Sequence, residues 1–206
     1  MGQYYKAVVL KNDKKTVKNY IMSWDFDNGA KLMEHSYIGN VFVGCLEKLL
    51  IKCAQCVVWA GDYADGEPDV WDTEGDDMNI YNIAENEGTA IKNEHPFLKG
   101  EDIWNMSDEK YYAHFPYRKE IEGKDWFVLN HDKKQYYKRP KHDDENNVIN
   151  PLPLLTCEGN GRGGGDYEGT HMELVGTWSR DSIEYLNELP DGCYYTEIHP
   201  DFREDR

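Results

Sequence analysis

Hydrophobic and polar positions alternate at the start of the chain. Residues 3–10, "QYYKAVVL", are rich in β-branched and aromatic side chains, and residues 16–24, "TVKNYIMSW", resume that character after the polar "KNDKK". Two such runs joined by a short turn predict a β-hairpin. The cluster "DFDNG" at 25–29 predicts a turn at its end.

The period then changes. Phe42, Cys45, Leu46, Leu49 and Leu50 recur at helical spacing, which predicts a helix over 40–52 capped by the side-chain carbonyl of Asn40. Gly39 separates it from a shorter turn at 31–36. The compact apolar run "CVVWAG" at 56–61 has strand length and predicts a central strand. Residues 62–91 combine Gly, Pro and charge with little periodicity, which predicts a long acidic surface excursion.

A second hairpin is predicted from strands at 126–129 and 135–138, followed by the loop "KHDDENNVINP". The run 152–158 opens beside Pro151 and Pro153, which suits an edge strand or a strand start. Residues 171–178 read as a strand, Ser179 as the cap of a short helix over 179–189, 192–198 as a last strand and 199–206 as a tail. Strands with few helices and no βαβ alternation predict an α+β fold: one domain, a mostly antiparallel sheet and one main helix.

Composition narrows this picture. A chain of 206 residues can bury roughly 70% of its unfolded surface, and 13% aromatics argue against disorder. No apolar run approaches the roughly 18 residues of a membrane span. "MGQYYKAVVLKNDKK" contains no apolar h-region, so no signal peptide is expected, and Lys6 stands where N-myristoylation wants Ser or Thr. Five cysteines without an export signal predict reduced thiols in a cytosol. Cys53 and Cys56 form a C-x-x-C, which could be a redox pair or half a metal site, but no second close pair completes a structural zinc site. Cys45 and Cys53 fall on the apolar side of the predicted helix, so the plain reading is buried small hydrophobes, with no metal or cofactor.

Charge adds more. The net charge is −16, concentrated in two blocks: residues 53–91 hold ten acids and no Lys or Arg, and residues 143–206 hold 15 acids against four bases. Such fields repel nucleic acid and attract basic surfaces.

Four constellations carry candidate chemistry. Gly159-Asn160-Gly161-Arg162-Gly163-Gly164 satisfies G-x-G-x-x-G. A dinucleotide site needs a helix directly after it, and here a strand-like segment follows. Arg162 with the amides of Gly161, Gly163 and Gly164 can still form an anion nest, flanked by Asp166; otherwise the run is a turn reaching positive φ. His35 could serve as a general base or bond the backbone at a helix break. Asp62 and Asp65 follow a buried-looking strand, where functional side chains emerge, but they also open the acidic block. Lys133, Lys134, Lys138, Arg139 and Lys141 interleave with Tyr136 and Tyr137, as in single-strand nucleic-acid binders. The overall negative charge opposes that use, and the lysines can instead protect a sheet edge.

The phrases "MGQYYK", "DNGAKLMEHSYIGN", "VVWAGDYAD", "LTCEGNGRGGGDYEG" and "ELVGTWSRDSI" occur together. Through them the chain resembles, from Gly2 to about Ile198, a family of uncharacterised small proteins from gut-type bacteria, their mobile elements and phages. The resemblance carries no functional residues over. It implies an intracellular, cytoplasmic accessory protein of a bacterium or its phage, a setting where small acidic proteins are often inhibitors of immunity or anti-defence type.

Two functions follow. In the leading one the chain is a binding protein that occupies a basic surface on a partner, such as a nucleic-acid-acting enzyme. Trp59, Tyr63, Trp71 and Tyr81 are its anchors, and Asp69, Asp72, Glu74, Asp76 and Asp77 its steering charges. In the alternative, His35, Asp62, Asp65 and His131 do catalysis on a phosphorylated ligand held by Gly161, Arg162, Gly163, Gly164 and Asp166. That reading requires these residues to share one cleft.

Overall fold

The first hairpin forms where its alternation places it. In the computed structural model, which describes residues 3–92, 121, 124–143, 147–159 and 165–204, β1 (Tyr5–Leu10) pairs antiparallel with β2 (Val17–Met22). On its other side β1 pairs antiparallel along its whole length with β3 (Gln55–Gly61). Both strands are apolar on both faces, and they lie between two layers. Tyr5, Ala7 and Val9 join one core with Val57 and Trp59, while Val8 and Leu10 join a second with Cys56, Val58 and Ala60.

The first core is closed by helices. A short turn of helix, α1 (Leu32–His35), precedes α2 (Val41–Leu50). The Asn40 side-chain oxygen accepts from the Phe42 and Val43 amides at 2.9 and 3.2 Å, so the cap forms as expected. Gly39 takes φ 86°, the left-handed conformation that ends the preceding turn. Phe42, Leu46 and Leu50 are fully buried, each worth about 1.5–3 kcal/mol in apolar transfer.

The acidic segment is only in part a surface excursion. β4 (Gly66–Trp71) and β5 (Asp77–Asn79) make a separate two-stranded hairpin, and α3 (Ile80–Glu87) then covers the second face of the sheet. Ile80, Tyr81, Ile83 and Ala84 build the second core, so this stretch is structural. Asn79 caps α3 through the Asn82 amide at 3.1 Å. A two-residue strand, β6 (Thr89–Ala90), then joins β2 in parallel.

The second hairpin is β7 (Phe127–Asn130) with β8 (Gln135–Lys138). Three expectations fail after it. The run expected as a strand at 152–158 begins as α4 (Pro151–Thr156), with Asn150 capping the Leu152 amide at 3.1 Å and proline tolerated in the first turn. Only β9 (Cys157–Glu158) is extended, parallel to β3. Residues 171–178 form 3₁₀ and turn structure in place of a strand, anchored by the fully buried Trp178 against Tyr137 at 5.6 Å. The expected helix over 179–189 is β10 (Ser182–Leu186), inserted between β7 and β3, with Ile183 and Tyr185 facing the core.

The last strand shortens to β11 (Thr196–Glu197), parallel to β8. Residues 199–204 pack onto the body: Phe202 is buried against Tyr167, and Gly169 bridges Glu204. The result is one large mixed sheet in the order β11-β8-β7-β10-β3-β1-β2-β6, with β9 beside β3. Antiparallel pairs form its length, and three two-residue strands add in parallel. Four α-helices accompany it among the described residues, and none of them is long and apolar enough to cross a membrane.

Candidate functional site: an acidic hairpin with exposed aromatics

β3 delivers the chain to the base of the acidic hairpin. There Asp62 is clasped to Tyr4: the Tyr4 amide donates to Asp62 Oδ1 at 3.0 Å, and the Asp62 amide donates to the Tyr4 carbonyl at 2.9 Å. The Asn79 side chain donates to the Asp62 and Ala64 carbonyls at 2.9 and 3.2 Å. Arg180, held at φ 63°, donates through Nε to Glu158 at 2.7 Å and reaches Glu67 through both terminal nitrogens, one at 3.1 Å. Its planar fork bridges β9 to β4. These contacts fix where the hairpin leaves the body.

Beyond them the hairpin stands in water. Asp72 folds the tip by accepting the Glu74 and Asp76 amides at 2.8 and 2.9 Å, and Gly75 takes φ 91°. Those amide bonds, from Asp76 first and Glu74 second, hold the Asp72 carboxyl below the usual aspartate range. Asp69, Glu74, Asp76 and Asp77 are exposed, and none has a cationic partner among the described residues. Trp71 sits among them, 57% exposed, and Tyr63 at the hairpin's base is 48% exposed. Tyr4 and Trp24, also about half exposed, lie at the same end of the sheet through the Tyr4–Asp62 clasp and the β1–β2 register. Asp65 is exposed at the hairpin's entry.

Two of the expected anchors belong elsewhere. Trp59 is fully buried in the first core, where its indole N–H donates to His35 Nε2 at 2.8 Å. Tyr81 is 9% exposed in the second core, with the buried Lys6 ammonium 3.4 Å from its ring centroid and paired with Glu85. Both lie on elements with a core face, and only the three-dimensional packing separates them from Tyr63 and Trp71.

The residues assigned to catalysis do not share a cleft. His35 is fully buried; its Nδ1 donates to the Gly29 carbonyl at 2.9 Å while Nε2 accepts from Trp59. Burial lowers its pKa to about 4, so the ring is neutral and both nitrogens are occupied. His131 lies at the far end of β3 from Asp62: its amide bonds Ser182, which pairs with Cys56. Asp166 accepts the Met33 amide at 3.0 Å and so caps α1. Burial above all, with the Cys157 thiol and then the Asp166 and Asp62 carboxylates adding to it, pushes the ionisation of the buried Tyr5 up. Gly161, Arg162, Gly163 and Gly164 lie outside the described residues.

The basic hairpin is consumed internally. Lys133 pairs with Asp181 at 3.6 Å, Lys138 and Lys141 with Asp125, and Arg139 with Glu47, while Tyr137 is buried. Sequence reasoning missed Arg180, Glu67 and Glu158 as the clasp of the acidic hairpin. It also missed Glu184 and Tyr195, which sit on the two ring nitrogens of His131. Neither set is marked by sequence spacing. No group of three or more potential metal ligands occurs among the described residues. No protein-family model, curated protein or solved structure matches the chain.

Proposed function

We propose that this chain is a binding protein of inhibitor type, which seats its acidic hairpin on a basic surface of a partner protein. Asp69, Asp72, Glu74, Asp76 and Asp77 steer the encounter, and Trp71, with Tyr63 beside it, anchors the complex. A nucleic-acid-acting enzyme inside a bacterial cell is the partner this reading favours, because its substrate-binding face is basic and a carboxylate array imitates a phosphate backbone. The single observation that carries the reading is the exposure of Trp71 among carboxylates with no cation of their own among the described residues.

The test uses the whole chain as bait in bacterial lysate at low and high salt. Basic proteins are retained at low salt and released at high salt, and both Trp71→Ala and Asp76→Lys/Asp77→Lys lose them. Retention that ignores salt, or that survives these substitutions, overturns the proposal.

A further inference from the structure

Away from the acidic hairpin, one group of side chains is arranged for chemistry. The turn after β7 carries His131 and Lys134, β10 supplies Glu184, and the segment entering β11 supplies Tyr195. Their contacts form a directed chain. Lys134 Nζ donates to the Tyr195 hydroxyl at 3.3 Å and lies 5.0 Å from the ring centroid. The hydroxyl oxygen is 2.9 Å from His131 Nδ1, and His131 Nε2 is 3.0 Å from Glu184 Oε2. In the tautomer that donates from Nε2 to the Glu184 carboxylate, Nδ1 is left to accept from the phenol. The group is open to solvent: the His131 and Glu184 side chains are 28% and 18% exposed.

Pinning β11 to the sheet would need one hydrogen bond. Here a hydroxyl has a base on one side, a third group orienting that base, and an ammonium at its oxygen, which is the arrangement that activates a weak oxygen nucleophile. We propose that Tyr195 is a base-activated nucleophile that accepts an acyl group from an activated ester of low charge. Glu184 lies on His131 and Glu197 on the Tyr136 hydroxyl of the neighbouring strand, and these carboxylates beside the site disfavour a polyanionic substrate. In the step, the phenolic oxygen attacks the carbonyl carbon while His131 Nδ1 takes its proton. The adduct collapses with cleavage of the bond to the leaving group, which departs as an alkoxide or phenoxide and takes up that proton directly or through water. Nothing is oxidised or reduced. Tyr195 and His131 touch the reacting atoms, and Glu184 is a positioning residue.

The probe is p-nitrophenyl acetate with the full chain. Nitrophenolate release is followed by absorbance, and the acetylated positions are quantified by tandem mass spectrometry. Tyr194, adjacent in sequence and 95% exposed, is the internal reference. General-base assistance makes Tyr195 react roughly tenfold or more faster than Tyr194 despite its lower exposure. His131→Asn places an amide oxygen near the position of Nδ1, which keeps a hydrogen-bond acceptor and removes the base; the Tyr195 rate then falls to that of Tyr194. Glu184→Gln lowers it in part. Equal rates at Tyr194 and Tyr195 in the unsubstituted protein, or an unchanged Tyr195 rate in folded His131→Asn, overturn the proposal. The first comparison needs no variant to fold.

Discussion

His35 shows how burial decides the role of one residue. Fully buried, with Gly29 and Trp59 on its two nitrogens, it acts as a neutral strut between α1 and β3. Its folded pKa of about 4 lies below the ordinary histidine value, so the unfolded chain binds the extra proton. Stability from this group is therefore complete above about pH 6.5 and drains away as pH falls toward 4, by about 3 kcal/mol in all. Denaturant titrations of the protein and of His35→Gln at pH 7 and pH 4 check this: the stability gap between them narrows by about that amount at the lower pH. Trp59 and Trp71 make the same point from the other side. One is sealed beside His35 and the other stands in water.

At the scale of elements, buried polar groups tie pieces together that sequence leaves unrelated. Glu47 on α2 receives Arg139 Nε at 2.7 Å, the Asn150 amide at 2.8 Å and the Tyr185 hydroxyl at 3.2 Å. It thereby joins α2 to the end of β8, the cap of α4 and β10. Arg139→Met strands a buried carboxylate and costs about 3–5 kcal/mol, read as a lower denaturation midpoint at unchanged slope. Glu47→Leu combined with Arg139→Met recovers only part of that loss: neither charge is left unpaired, but the Asn150 amide and the Tyr185 hydroxyl lose their acceptor. Asn79→Ala removes the α3 cap and both ties to the hairpin's base, and costs about 1–2 kcal/mol, with faster amide exchange across β4 and β5.

The first hairpin, α2 with its Asn40 cap, β3 and the second hairpin were legible because their periodicity is local and strong. α4 and β10 were not. "PLPLL" is too short for its period to separate helix from strand, and a side-chain cap from Asn150 settles it. In β10 the helical signal from Ser179 yields to the open edge of β3, where Ser182 and Ile183 pair, and Ile183 to Leu186 pair with β7 on the other side.

For the whole molecule, the question is where the charge of −16 resides. Part is used within the chain, as Glu47, Glu67, Glu85 and Glu158 show. The hairpin tip keeps its share. On the proposed function, association with the basic partner slows steeply between roughly 50 and 500 mM salt while dissociation changes little, as stopped-flow measurements would record, and Trp71→Ala acts mainly on dissociation.

The amino-acid sequence by itself determined the β-rich α+β character, the best helix with its cap, and the acidic and aromatic composition of residues 62–91, because these depend on neighbours within a few positions. Only the tertiary structure decided which aromatics face water, which carboxylates are neutralised, and that His131 meets Tyr195 and Glu184. Those outcomes depend on strands distant in sequence lying side by side. A residue's environment is set by what packs against it, which its local pattern does not encode.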